Sequence, residues 1–263
     1  MGAKAQVLLV IALMLAAPVR AAGEARVRAD AYQAFWLWSG VRAAGEARVR
    51  ADAYQAFWLW SGVRATPSMR DAQVVYLHQG DVVAYPQRTV FSRLGMPVSR
   101  LAVPAVWITV RIATLDIPDA ILDRVLRLPD RWTAAGNQVL GLQIDFDAAT
   151  HRLADYAEFL RQVRQRLPAH YALGVTGLLD WAKTGNVEVL NGLPVDELVV
   201  QTYQGRHTVP GYQRYLPALR GLRIPFKIGV VEHGEWDPGD ERELAASPFY
   251  RGAVVFMLGS APP

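Results

Sequence analysis

The 263-residue chain contains no cysteine, which excludes a disulfide framework and a lipid-modified N-terminal cysteine. A hydrophobic core must hold the fold together. Beyond the N-terminal stretch no segment approaches the roughly 20 uninterrupted apolar residues of a membrane span, so no span is expected once that stretch is removed. Charge of one sign is not in large excess either. The formal net charge is +4, and in "RLADYAEFLRQVRQRLP" the basic residues read as the wet face of a helix, not as a nucleic-acid patch. There is no P-loop and no GxGxxG, which argues against a phosphate or nucleotide site. No His-x-His or closely spaced His pair supports a metal. No cofactor is therefore expected.

What remains is an ordinary globular balance, 52% hydrophobic and 20% charged, for which one medium-sized domain is the default. "MGAKAQVLLVIALMLAAPVRA" combines Lys4, an apolar run from Val7 to Leu15 and small residues around Ala21. That pattern predicts a cleavable secretory signal over residues 1–21 and a periplasmic or secreted destination. "VRAAGEARVRADAYQAFWLWSG" fills residues 19–40 and recurs unchanged at 41–62. A solenoid would need further copies, and none follow. Only one copy can occupy a single strand position. The second, contiguous with the rest of the chain, is assigned to it, which leaves residues 22–40 peripheral or poorly ordered and a domain over 41–263.

From there the chain alternates. Apolar or β-branched runs occur at 54–62, 72–80, 105–113, 139–147, 171–181, 196–205, 225–234 and 251–260, as expected of buried parallel strands. Helical stretches lie between several of them. In "THRLADYAEFLRQVRQRLP", Thr150 is a plausible N-cap, Leu153, Ala157, Leu160 and Leu167 recur at helical spacing, and Pro168 marks the stop. Shorter patterns occupy "DAILDRVLRL" and "GYQRYLPALRGL". The alternation predicts an α/β fold, a (β/α)8 TIM barrel. About a dozen residues separate the first two strands, near the minimum for a parallel crossover, so the first units should be irregular.

A barrel carries its site at the C-terminal ends of its strands. Polar residues ending the apolar runs are Ser61, His78 with Gln79, Arg111, Asp145 with Asp147, Thr176, Asp180 with Trp181, Gln201, Tyr203 with Gln204, and Glu232 with His233. Acids, amides and aromatics together describe a sugar-binding cleft. Strand alternation puts Gln143, Asp145 and Asp147 on one face, with Ile144 and Phe146 on the other. Two close carboxylates push their pKa values apart, so one can serve as an acid while the other stays ionised. The structural alternative pairs them with Arg111 or neighbouring amides. Trp58 and Trp60 fit core packing better than sugar stacking, whereas Trp181 and Tyr203 fit either role.

"LGLQIDFDAATHRLADYAEFLRQVRQRLP", "VTGLLDW", "VDELVVQTYQGRHTVPGYQRYL" and "PFKIGVVEHGEW" resemble the bacterial family catalogued as domain of unknown function 3142, over most of residues 105–260. The likeness implies an exported barrel of uncharacterised activity. "LGLQIDFD" also remotely resembles the Asp-Gly-x-Asp-x-Asp-x-Glu strand of family 18 glycoside hydrolases, the chitinase-like barrels. Gly141 matches the glycine, Asp145 the last aspartate, and Asp147 falls at the catalytic glutamate; Leu140 and Gln143 replace the other two acids. Tyr203 in "QTYQ" matches the tyrosine of that family's sixth strand.

The resemblance implies Asp147 as general acid, with Asp145 and Tyr203 positioning a substrate acetamido group. The expected function is thus an exported polysaccharide-acting barrel, with Asp147 and Asp145 catalytic. Gln143, Tyr203, Gln201, Gln204, Trp181, Arg111, Glu232 and His78 would contact the oligosaccharide. Two other readings fit the same residues: a glycan-binding envelope protein without catalysis, and a metal-dependent hydrolase or deacetylase.

Overall fold

A computed structural model describes residues 48–147, 149–184 and 187–259. The expected signal and the first repeat copy, within residues 1–40, lie outside them. Eight parallel strands form a closed barrel: β1 (Ala56–Leu59), β2 (Val74–Tyr85), β3 (Ala105–Ile112), β4 (Val139–Asp145), β5 (Ala172–Leu178), β6 (Glu197–Gln201), β7 (Phe226–Val231) and β8 (Tyr250–Met257). Closure comes from β1, which pairs with β8 through Phe57↔Val255 and with β2 through Phe57↔Val75. The fold is the expected (β/α)8 TIM barrel. Its first strand belongs to the second repeat copy.

Helices appear only from the third unit onward. They are α1 (Asp119–Leu126), α2 (Leu128–Ala134), α3 (Leu153–Arg166), α4 (Trp181–Thr184), α5 (Val187–Asn191), α6 (Leu216–Leu219) and α7 (Pro238–Leu244). Between β1 and β2 the short crossover holds a single 3-10 turn, Pro67–Met69. Between β2 and β3 the chain makes a hairpin instead, β2 running on for 12 residues and pairing antiparallel with Arg88–Arg93. The expected irregularity is thus located. Thr150 opens a 3-10 turn ahead of α3, which starts at Leu153 with Arg152 in the N-cap position. The stop before Pro168 holds, with Leu167 extended, because the proline ring disfavours helical backbone in the residue before it.

Two apolar layers share the wall. The outer one joins strand residues such as Ile108, Ile144 and Val175 to the helices through Leu122, Trp132, Leu160 and Trp181. The inner one fills the barrel with Trp58, Val74, Tyr76, Trp107, Val199 and Phe256. Trp107 fits because the next strands offer glycine. A Cβ at Gly141 would lie 2.7 Å from the indole and 2.1 Å from the Ala172 carbonyl oxygen, so any larger residue there forces the wall open.

Below these rings lies a buried charge. Lys227 Nζ is 3.1 Å from Glu197 Oε2 and donates to the Tyr76 hydroxyl at 2.8 Å, while that hydroxyl donates to Glu197 Oε1. Both charged side chains are 2% exposed. Burial lowers the lysine's pKa and the neighbouring carboxylate raises it. Such a pair is costly to desolvate and costlier to break, since removal of one partner leaves the other charged and buried. Lys227→Met should therefore destabilise the barrel by about 3–5 kcal/mol, read from urea unfolding. Lys227→Met with Glu197→Leu should recover most of that loss; failure to recover would show that the pair contributes more than mutual neutralisation.

Candidate functional site

The barrel mouth is built from residues that leave their strands on the inner face. Asp145 ends β4, is 3% exposed, and accepts a hydrogen bond from Thr176 Oγ1 on β5 at 2.5 Å. Burial is the main cause that raises its pKa to about 6; the threonine bond opposes the rise, and the negative charge of Asp147 adds to it. Asp147 lies two residues beyond and is exposed. The two acids therefore occupy different environments: one sealed beneath the mouth, one at its rim. No ion pair within 4 Å joins either to Arg111 among the described residues, although the charge of Arg111 still acts on Asp145.

Arg111 is exposed at the end of β3, in register with Asp145 on one side and Asp81 on the other. Its charge lowers the pKa of Asp145 and that of Tyr203. Tyr203 follows β6, its ring 4.8 Å from Phe256. Burial and the two aspartates push its phenol well above the ordinary value, so the hydroxyl keeps its proton. Among the described residues that buried hydroxyl has no hydrogen-bond partner. Gln143, fully buried one strand repeat below Asp145, accepts at Oε1 from Trp58 Nε1 (2.8 Å) and Thr109 Oγ1 (3.4 Å), while its Nε2 has no partner among the described residues. Unmatched buried donors are rare in folded proteins because each forfeits its hydration. Among the described residues the Trp107 indole N–H, deeper in the barrel, is a third.

His78 completes the group. Its ring stacks on Trp58 at 5.8 Å and meets the edge of the half-buried Trp60 at 5.3 Å, with Ser61 and Asp81 on its two nitrogens. The structure thus brings Gln143, Asp145, Asp147, Arg111, Tyr203 and His78 to one mouth. Gln201 ends β6 half-buried on the same inner alternation as Glu197 and Val199.

One expected contact, Trp181, lies elsewhere, and Glu232 and Gln204 follow the ends of β7 and β6. Trp181 is 1% exposed, opens α4 and packs on Tyr156 of α3 at 6.1 Å. The chain has already turned outward there, so the indole belongs to the helix layer and presents no free face to a sugar. Glu232 Oε2 accepts from the amide of Leu258, the residue just past β8, at 3.0 Å. Gln204 is exposed in a small hairpin with His207. Ser61 and Asp81 are partners that alternation alone does not give. Register shifts between His78 and Asp81, where Gly80 has φ 151, and this bulge returns Asp81 to the side of His78. Among the described residues no three His, Asp or Glu side chains are close enough to share an ion. No described helix is long and apolar enough to cross a membrane.

The model of the family described as a domain of unknown function, DUF3142, matches residues 99–219, inside and just ahead of the stretch that carries the resemblance in sequence. No curated protein matches the chain. Among solved structures it is similar to a xylanase and α-amylase inhibitor protein crystallised with trehalose. That match has 10% identity, covers 71% of this chain and 84% of that one, and has a TM-score of 0.45. The corresponding inhibitor from Scadoxus multiflorus shares 12% identity over 70% and 83%, TM-score 0.44. The spore cortex-lytic enzyme SleL of Bacillus cereus shares 14% over 61% and 43%, TM-score 0.34.

The Asp145 environment has a measurable consequence. Its carboxyl holds a proton to higher pH in the fold than in the unfolded chain, so the native state binds more protons between pH 3.8 and about 6. Stability contributed by this group is complete below that window and is lost as pH rises through it. Asp145→Asn keeps an acceptor for Thr176 and carries no charge. Relative to wild type, the variant should gain up to about 3 kcal/mol between pH 4 and pH 7, measured by denaturant unfolding at both. Parallel pH profiles would show that the carboxylate is compensated in the native state.

Proposed function

We propose that the barrel mouth binds a polysaccharide chain and that Asp147, assisted by Asp145, cleaves its glycosidic bond in an exported protein. The observation that carries the reading is the layered arrangement at the end of β4. A reachable carboxyl lies above a sealed one, with the unmatched Tyr203 hydroxyl and Gln143 amide beneath. A sugar ring offers many hydroxyl groups and, on its faces, apolar C–H surface; the first suit the exposed Asp147 and Arg111 at the rim and the second suits the half-buried Trp60.

In this reading a glycosidic oxygen can approach Asp147 but not Asp145, which is 3% exposed. Asp147 then protonates the leaving oxygen. Asp145, held by Thr176, and the protonated Tyr203 hydroxyl orient the substrate next to the breaking bond and act on the positive charge that develops there. Arg111, in register with Asp145, limits the mutual repulsion of the acids. The lysine and apolar run at residues 4–15 support export, where such polymers are found.

One observation favours binding without cleavage. Asp147 has no hydrogen bond that fixes its rotamer among the described residues, and the inner position two strand repeats below it carries the amide Gln143 in place of an acid. The two readings separate on one pair of proteins. Product release from a panel of bacterial and amino-sugar polysaccharides is measured for wild type and Asp147→Asn, with calorimetry on the same fragments. Hydrolysis predicts a fall of about 100-fold or more in turnover with binding kept. Binding without cleavage predicts no product from either protein and equal affinities. Full turnover by Asp147→Asn would remove Asp147 from the chemistry.

A further inference from the structure

Glycosidic cleavage leaves one part of the mouth without a task. Ser61 Oγ lies 2.7 Å from His78 Nδ1, and His78 Nε2 lies 2.9 Å from Asp81 Oδ1. A carboxylate only accepts, so Nε2 carries the ring proton and donates to Asp81; Nδ1 keeps its lone pair and the Ser61 hydroxyl donates to it. His78 is 4% exposed, between Trp58 and Trp60. Burial outweighs the carboxylate and lowers its pKa, so at neutral pH the imidazole is uncharged and able to take a proton.

Ser61 is half-buried in the turn that leaves β1. Its neighbour Gly62 has φ 84, and a Cβ placed there would meet nothing within 4 Å, so the space beside that glycine is open. The Gly62 N–H makes no hydrogen bond among the described residues. A serine hydroxyl on a neutral imidazole, with a carboxylate fixing the tautomer, is the arrangement that activates a nucleophile. An unbonded N–H one residue later is suitably placed in sequence to receive a developing oxyanion.

We propose that Ser61 is the nucleophile of a carboxylic-ester hydrolase, with His78 as its base and Asp81 as the positioning residue. In acylation the Ser61 oxygen bonds to the ester carbonyl carbon, its proton passes to His78 Nδ1, and the carbonyl π pair moves to oxygen, facing the Gly62 N–H. Collapse breaks the bond to the alcohol oxygen, which takes the proton from Nδ1. Water then bonds to the acyl carbon and gives a proton to Nδ1. The bond to Ser61 breaks and the proton returns to the serine. Ester and water become acid and alcohol with no change of oxidation state. This activity is independent of glycosidic cleavage, and an aryl acetate with no sugar can report it.

The test compares full-length wild type, Ser61→Ala, Asp81→Asn and Ser39→Ala for hydrolysis of p-nitrophenyl acetate and for labelling by phenylmethanesulfonyl fluoride, with melting temperatures alongside. "ADAYQAFWLWSGVR" occurs at both 29–42 and 51–64, so digests cannot assign the label and the variants must. Wild type and Ser39→Ala should turn over and take up one sulfonyl group; Ser61→Ala should take none and lose about 100-fold or more in rate. Asp81→Asn should lower kcat with KM unchanged, since it acts through His78.

Ser61→Cys gives a second handle, because its thiol is the only one in the chain. Alkylation by iodoacetamide should abolish whatever ester turnover it retains. The proposal is overturned if wild type is neither labelled nor active, if Ser61→Ala matches it, or if alkylated Ser61→Cys stays as active as before.

Discussion

The barrel closes through Ala56–Leu59, a four-residue strand that must satisfy β2 on one edge and β8 on the other. Such closure removes exposed sheet edges, but with so few ladder bonds it needs side chains to hold the strand in register. Trp58 does so from inside. Fully buried, it stacks on Phe256 at 5.1 Å and donates across the barrel to Gln143, 85 residues away. A slip of one residue would turn that indole to the outer face and break the bond. The stretch before the strand is anchored outside: Val49 pairs with Gly234 and His233, and Tyr54 donates to the buried Glu241, which also receives Trp236. Everything that Ser61 and Trp60 do at the mouth depends on this short strand being pinned at both ends.

The barrel treats its buried polar groups in two ways. At the floor, Lys227, Glu197 and Tyr76 answer one another, and in the outer layer Glu241 accepts from Tyr54, Trp236 and Tyr250. At the mouth the accounting is left open. Among the described residues Asp145 has Thr176 but no cation within 4 Å, and Tyr203 and Gln143 each keep a donor unmatched. Deeper in the barrel the Trp107 indole N–H, stacked on Tyr76, is unmatched as well, and buried groups of this kind cost free energy. What sets the C-terminal end apart is therefore the sealed Asp145 beside the exposed Asp147 and Arg111.

Much of this was legible in the chain because parallel strands buried on both faces write continuous apolar runs, and all eight did. The strand-four acids were legible because Ile144 and Phe146 fix which face is inner. Trp181 was misleading because it lies beyond the last paired residue of its strand, where period two no longer governs direction. Helix α4 begins at Trp181 itself, so a turn aims the side chain. Asp81 was hidden by the opposite fault, a bulge inside a strand. Strict alternation gives residues 78, 80 and 82 one face; only the register shift at Gly80 restores residue 81 to it. The glycine is the visible trace of that shift, with a Cβ there only 2.2 Å from the Ser92 carbonyl oxygen.

Arg111 decides how these groups coexist. It stands on β3 between the bulged end of β2 and the end of β4, in register with Asp81 and Asp145 at once. Without a cation there, three carboxylates would face one another over a short arc of the mouth. Their mutual repulsion would draw protons to them and would favour a charged His78. With Arg111 present the field is divided. Burial is the main cause that lowers the pKa of His78 and raises that of Asp145; the positive charge of Arg111 adds to the first shift and opposes the second. One exposed guanidinium thus acts on two groups at once, favouring a neutral base on β2 and an ionised carboxyl on β4. It can act on both without contact because charge, unlike a hydrogen bond, works across several ångströms where water is partly excluded.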